Sequence, residues 1–353
     1  MDIIMDTPEL NITQSQLKYI GKIDEFKGKW QAMSGLAPDR LKALRKIATI
    51  ESIGSSTRIE GAKLSDSQVE ELLAGVKVTS FNTRDEQEVA GYAECINTVF
   101  ESYPHIPIDE NHVKQLHQLL LKYSSKDTRH CGEYKKLPNH LEAYGHDGKS
   151  LGVIFETASP FDTPRKMAEL LEWFNRQQNE NSVHVLLLIA IFIVHFLAIH
   201  PFQDGNGRLS RILTTLLLLQ AGYTYVPFCS LERIVEENKD RYYLTLRQAQ
   251  KTIYKDNSTI GVWVTFYLEL LNQQTEVLEQ KTKNEQVFAD ISVLSKDILQ
   301  IAKDHGRVTV RQAVQITKSN RNTTKAHLKR LVKNGLLEQM GDGKGTWYKI
   351  KRL

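Results

Sequence analysis

The sequence predicts a mainly α protein: a helical bundle with one strand-like stretch, followed by a small, separate C-terminal unit of three helices and two strands. Three observations predict it. Apolar residues recur at helical spacing, or in runs long enough for buried helices, along most of the 353 residues. Strand-like stretches are few, short and bounded by glycines. Charge is divided unevenly: Ile291 to Leu353 holds 14 Lys and Arg against 4 Asp and Glu, whereas the preceding residues hold 32 against 38. A basic tail on a mildly acidic body reads as a domain of its own.

Composition narrows the class. With 41% hydrophobic and 25% charged residues the chain reads as a soluble globular protein, long enough for two or three buried cores. Cys95, Cys131 and Cys229 lie far apart and form no CxxC, which argues against a disulfide framework or a zinc site and fits a reducing cytoplasm. Met1 to Leu10 carries two aspartates and no basic stretch of the kind that opens a secretory signal. Val183 to Ile199 is apolar, but it is short for a membrane span and contains His184 and His195, so a helix buried within a bundle is expected and no membrane partner. His184, His195 and His200 share no metal-ligand spacing.

The elements follow in order. Residues 1–90 read as a helical region, with Leu41, Leu44, Ile47 and Ala48 on one helix face, a helix end at which Gly61 is the C′ residue, and Ser65 capping the next helix. Residues 91–272 read as the core. Within it Asn111 to Leu121 predicts a helix with Val113, Leu116, Leu120 and Leu121 inward and with His112 and His117 structural or exposed. Arg129 to Thr157 carries Gly132, Pro138, Gly145, Gly148 and Gly152, hence turns, with a strand-like end at Leu151 to Phe155, and Arg165 to Gln177 predicts a further helix. Beyond the long apolar runs, Val262 to Asn272 is amphipathic, and the polar residues 273–290 are expected to link the core to the tail at 291–353. There, helices over Ile291 to Asp304, Thr309 to Ile316 and Asn322 to Lys333 precede strands at Leu336 to Met340 and Thr346 to Ile350. That order resembles a winged helix-turn-helix, with Arg321, Lys325, Lys329 and Arg330 on or near its third helix.

Between two apolar runs lies His200-Pro201-Phe202-Gln203-Asp204-Gly205-Asn206-Gly207-Arg208-Leu209-Ser210-Arg211. A polar loop opening a helix presents backbone N–H groups and a helix dipole at one point. Gly205 and Gly207 allow close backbone approach, so the N–H groups can form an anion nest. Arg208 and Arg211 lie three apart, on one face, where they can clamp phosphates. Asp204 offers a hard oxygen for Mg²⁺, and His200 a base that titrates near neutrality. Phe202 is suited to anchoring the loop.

The stretch matches HxFx[DE]GNGRxxR at all eight specified positions, and by it the chain resembles the Fic (Fido) family. The resemblance implies a Fic-type bundle with a hairpin flap, and AMP transfer from ATP, with Mg²⁺, to a Ser, Thr or Tyr hydroxyl of a target protein. His200 would be the general base and Asp204 the metal ligand. Gly205, Asn206 and Gly207 would form the phosphate nest, Arg208 would hold the inner phosphates and Arg211 the γ-phosphate. Ser56 and Glu60-Gly61 match [ST]xxxE[GN], the inhibitory-helix motif of the family, which implies a Glu60–Arg211 pair. Tyr242 and Tyr243 match a tyrosine pair of the adenine pocket, whereas Gln250 stands where some relatives have asparagine, which leaves that contact to the base open. The resemblance places the hairpin flap at about residues 139–157 and implies that it pairs with an extended target segment. Removal of AMP, another phospho-group transfer on the same fold, and a DNA-binding regulator with a nucleotide-sensing core are the alternatives. Self-modification, a homodimer and DNA at the tail stand open as further partners.

Overall fold

A computed structural model describes residues 12–32, 38–75, 81–144, 150–253, 255, 258–289 and 292–351. The chain divides after Leu278 into two compact units. The first opens with α1 (Gln14–Ala32), α2 (Pro38–Ile59), α3 (Asp66–Ala74), α4 (Arg84–Ser102) and α5 (Glu110–Leu121). Their starts follow local chemistry. Ser65 with Gln68 and Thr83 with Glu86 form capping boxes, and Asp109 caps α5. Strands β1 (Leu141–Tyr144) and β2 (Ser150–Phe155) pair antiparallel, with Leu141 opposite Phe155 and Tyr144 opposite Ser150. The turn of the expected hairpin, 145–149, lies outside the described residues.

Then come α6 (Thr163–Glu180), α7 (Val185–Ile199), α8 (Asn206–Gln220), α9 (Leu231–Glu237), α10 (Lys239–Gln250) and α11 (Ile260–Ala289). Helix α7 is apolar all round and buried from Leu186 to Ile199, as a helix at the centre of a bundle must be. Helix α8 presents Leu209, Ile212, Leu213 and Leu216 to the same core, each 0% exposed. Full burial of such side chains stabilises by about 1.5–3 kcal/mol each, so both helices are fixed and the short loop between them has little freedom. Trp263 on α11 donates its indole N–H to the Ala190 carbonyl of α7 at 2.8 Å. Among the described residues no helix is long and apolar enough to cross a membrane.

Helix α2 runs through Gly54 to Ile59, and Gly61 follows it at φ 109°, as expected of a C′ glycine. A Cβ at Gly54 would stand 2.6 Å from Arg58 Nη1 and 2.7 Å from Asp66 Oδ1, so the glycine serves close approach within a helix. The polar residues from 273, expected as a linker, continue α11 as far as Ala289.

The second unit contains α12 (Val293–Asp304), α13 (Val310–Thr317), α14 (Arg321–Lys333), β3 (Leu337–Met340) and β4 (Trp347–Ile350). The strands pair antiparallel, Leu337 opposite Ile350 and Met340 opposite Trp347. Ile298, Ala302, Val308, Ala313, Leu328, Leu331, Leu337 and Tyr348 form its own core.

Candidate active site

Helix α7 ends by turning sharply. His200 takes the left-handed conformation at φ 53° and ψ 60°, while its N–H still bonds the Phe196 carbonyl at 2.9 Å. For a non-glycine residue this costs on the order of 1–3 kcal/mol and persists only where the surroundings enforce it. Phe202, fully buried, anchors the next turn by stacking on the His117 ring with centroids 3.8 Å apart. His117 Nδ1 accepts the Gly132 N–H at 2.9 Å, so Nε2 carries the proton and donates to the Asp204 carbonyl at 3.0 Å. Burial pushes His117 down to about 4, which keeps it in this neutral form. Sequence reading left His117 as structural or exposed; it is fully buried and holds the loop.

Asn206 turns its side chain inward. It accepts the Phe202 N–H at 2.9 Å and donates to the Phe202 carbonyl at 2.7 Å, so only its backbone is available at the helix mouth. Gly205, at φ 82°, is the N-cap of α8. Conformational freedom is needed there, since a left-handed cap with a side chain is strained.

The loop, α10 and Glu60 border an open cleft of about 310 Å³, lined among others by His200, Asp204 to Arg208, Arg211, Tyr242, Tyr243 and Gln250. His200 Nδ1 lies 3.3 Å from the Leu197 carbonyl, which leaves Nε2 as the basic nitrogen. Burial, aided by the nearby Lys135 ammonium, pushes the imidazole down to about 4, so it is neutral at pH 7. Asp204 accepts the Gly205 N–H at 2.7 Å and lies 3.4 Å from Arg208 and 3.5 Å from Arg84. Burial works against its charge, but Arg208 and that N–H outweigh it and hold the carboxyl below its ordinary range.

The two arginines are 2% and 6% exposed, and their surroundings differ. Arg208 Nη1 lies 3.2 Å from Glu88, yet neither Nη1 nor Nε makes a hydrogen bond, because that carboxylate is within ion-pair range but misaligned. Arg211 is held by direct bonds: Nε donates to Ser56 Oγ at 2.8 Å, and Nη2 to the Ser56 carbonyl at 2.9 Å and to Glu60 Oε1 at 2.8 Å. Burial opposes the Arg211 charge, but Glu60 holds the guanidinium above its ordinary value. The same Glu60 oxygen stands 2.2 Å from where a Cβ of Gly207 would be, so the carboxylate rests on the first turn of α8. An anion is favoured there by the helix dipole.

Across the cleft Tyr242 is buried and packs edge-on against Trp263, with centroids 5.4 Å apart, while Tyr243 is half-buried. Gln250 is 2% exposed, and both its amide oxygen and nitrogen are without hydrogen-bond partners. The structure thus brings the eleven sequence-predicted site residues together, with Ser56 and the Asn206 side chain behind the wall rather than facing the cavity. Arg84 and Glu88, which flank Arg208 and Asp204, were not predicted. Their i,i+4 spacing is that of an ordinary surface pair, and only packing shows that Glu88 is buried.

Comparison with known proteins agrees with this geometry. A model of the Fic/DOC family matches residues 107–218. A probable protein adenylyltransferase of Aquifex aeolicus is 32% identical over 100 residues, 28% of each chain. The protein adenylyltransferase Fic of Drosophila mojavensis is 27% identical over 238 residues, 66% of this chain and 42% of its own. The chain therefore spans less than half the length of these curated relatives. Among solved structures, a Fic family protein from Desulfovibrio desulfuricans superposes with a TM-score of 0.61 at 22% identity, covering 98% of both chains. A Fic-domain signalling protein from Bacteroides thetaiotaomicron gives 0.57 at 24% identity, covering 73% of this chain and 95% of its own. The complete HxFxDGNGRxxR loop, set between two buried helices, thus lies in a stretch, residues 107–218, that matches the Fic/DOC family.

Proposed function

We propose that this protein transfers AMP from ATP to a side-chain hydroxyl of a target protein, and that Glu60 holds it inhibited. The observation that carries this reading is the pair of buried arginines at the mouth of α8, one with unfilled donors and the other filled by a carboxylate. Buried donors without partners are costly, and a polyphosphate supplies what Arg208 lacks. The backbone N–H groups of Asn206 and Gly207 and the α8 dipole favour the same charge. The unpartnered amide of Gln250, beside Tyr242 and Tyr243, offers one donor and one acceptor to a purine edge. The names of the Aquifex and Drosophila relatives support the choice of reaction.

In this mechanism the target hydroxyl binds beside His200, whose neutral Nε2 takes the proton. The hydroxyl oxygen then attacks the α-phosphorus in line, a P–O bond forms to the target, and the bond to the β-phosphate oxygen breaks, releasing pyrophosphate. Arg208 steadies the charge on that leaving group. Asp204 suits Mg²⁺, which binds through one or two carboxylates plus substrate phosphates and would offset phosphate charge there. Backbone pairing of an extended target segment with β1 or β2 would present the hydroxyl without reading much sequence. The Glu60 carboxylate occupies the cation and the helix mouth that the γ-phosphate needs. ATP then binds with its phosphates misaligned, and loss of Glu60 from Arg211 restores them.

The test uses Mg²⁺ and Glu60→Gly protein. Label passes from α-³²P-ATP, and not from γ-³²P-ATP, to protein. Label arriving from the γ-phosphate instead would show a kinase and sink the reading.

A second reading concerns the tail alone. Arg321, Lys325 and Lys329 on α14 are exposed and form no ion pair among the described residues. A third helix of this kind suits the phosphates and major groove of a DNA duplex.

A further inference from the structure

The loop that carries His200 is held from outside by two side chains that neither the family signature nor the proposed mechanism uses. Lys135 is 3% exposed, and its ammonium donates to Asn139 Oδ1 at 2.8 Å, Thr157 Oγ1 at 2.9 Å and the Ile199 carbonyl at 3.0 Å. Its own backbone N–H bonds the Pro201 carbonyl at 2.9 Å. The Asn139 amide nitrogen donates to the His200 carbonyl at 3.3 Å and the Phe202 carbonyl at 2.6 Å. Four consecutive carbonyls, from Ile199 to Phe202, are therefore tied to one short segment. The orientation of the Asn139 amide is fixed by its neighbours, because its oxygen meets an ammonium and a hydroxyl while its nitrogen meets two carbonyls.

Such a network is expensive unless complete. A buried ammonium is tolerated only when its donors are satisfied, and here three acceptors satisfy all three. What the network holds is the one left-handed residue of the loop that is not glycine. It also reaches the hairpin at both roots: Asn139 lies two residues before β1, and Thr157 two residues after β2. The turn that aims the imidazole and the strands proposed to receive the target thus share one set of hydrogen bonds.

We propose that Lys135 and Asn139 are positioning residues that hold His200 in its left-handed turn and register the hairpin to it, so that the base stands at a fixed place relative to the docked hydroxyl. The inference rests on the transfer reading given above. Its action is on proton abstraction and not on nucleotide binding, since neither side chain lines the cleft. Besides Lys135, the charged groups facing His200 are Glu60 and Asp204.

The test is made in Glu60→Gly protein, with Asn139→Asp, Asn139→Ala and Lys135→Met compared. Asn139→Asp keeps the oxygen that meets Lys135 and Thr157 but loses the donors to the loop, so it should be as impaired as Asn139→Ala. Both should lose about a hundredfold in kcat for AMP transfer, the effect of displacing a reacting group by about 1 Å. KM for ATP should stay within about threefold, because the lost interaction is not one of ground-state binding. Lys135→Met removes a cation that depresses the imidazole, so the acid limb of its pH–rate profile and the NMR titration of the His200 ring should both move to higher pH. Unchanged kcat in Asn139→Asp, or an equal loss of ATP binding and kcat, overturns the proposal. Should Lys135→Met fail to fold, Asn139→Asp decides alone. If the Glu60→Gly parent transfers no AMP, the transfer reading has failed. The clamp is then judged by NMR: His200 ring resonances and titration unaltered by Asn139→Asp would sink it as well.

Discussion

Helices α8 and α14 both begin after a polar turn and both carry basic residues on their early turns, yet they treat those charges in opposite ways. On α8, Arg208 and Arg211 are 2% and 6% exposed and lie within 3.2 and 2.8 Å of Glu88 and Glu60. On α14, Arg321, Lys325 and Lys329 stand in solvent without an ion pair among the described residues. A buried cation must have its partner supplied by the fold, so its availability can be switched by moving one carboxylate. An exposed cation is paired by salt, and its binding is graded and screened. The first arrangement makes a site; the second makes a surface.

Removing the base is the strongest way to break the comparison. His200→Ala in Glu60→Gly protein should lower AMP transfer by roughly 10²–10⁴-fold, the worth of a positioned general base, and retained transfer would remove His200 from the chemistry. Next comes the switch itself. Glu60→Gly should raise transfer tenfold or more, on the order of one or two charge-assisted hydrogen bonds returned to the nucleotide. Measuring transfer and ATP affinity side by side checks this, and no change in either would discard Glu60 as inhibitor.

Acid should separate the two units. His117, His195 and His200 in the first unit are pushed by burial to about 4, about 3 and about 4. Each is lowered from an unfolded value near ~6.5, so between these limits the unfolded chain binds the extra protons. Stability is therefore full above that upper value and falls with pH, at up to about 1.4 kcal/mol per pH unit for each histidine. Chemical denaturation between pH 7 and 4, followed by tryptophan fluorescence, should show this decline, and a flat profile would contradict the buried neutral histidines. By contrast, the base form of His200 persists to about 4 in the folded state, so the acid limb of transfer should lie well below the ordinary imidazole range.

The smallest effect belongs to the surface. Lys325→Ala and Lys329→Ala should each reduce the salt slope of duplex binding by about one, with little change in the first unit's activity. Fluorescence anisotropy against salt measures it, and a duplex that does not bind the native chain removes the second reading.

How legible these features were depended on the range of the forces involved. The signature loop was plain in the sequence, because its glycines, arginines and carboxylate are consecutive and lie between two apolar runs. Helices α5, α6, α7 and α14 were read to within a few residues from periodicity. Gly54 stands inside α2 because it allows Arg58 close approach, a reason that only packing shows. Lys135 and Asn139 gave no signal, because a buried ammonium and a surface one are written with the same letter.

By itself the sequence determined the helical class, the basic tail and the local chemistry of the loop, since those depend on spacing along one chain. Only the tertiary structure decided which charges are buried, that Glu60 reaches Arg211 across 151 positions, and that residues 135–139 grip the turn at His200. Burial and long-range hydrogen bonds arise when distant segments exclude water together, and no stretch of sequence carries that information alone.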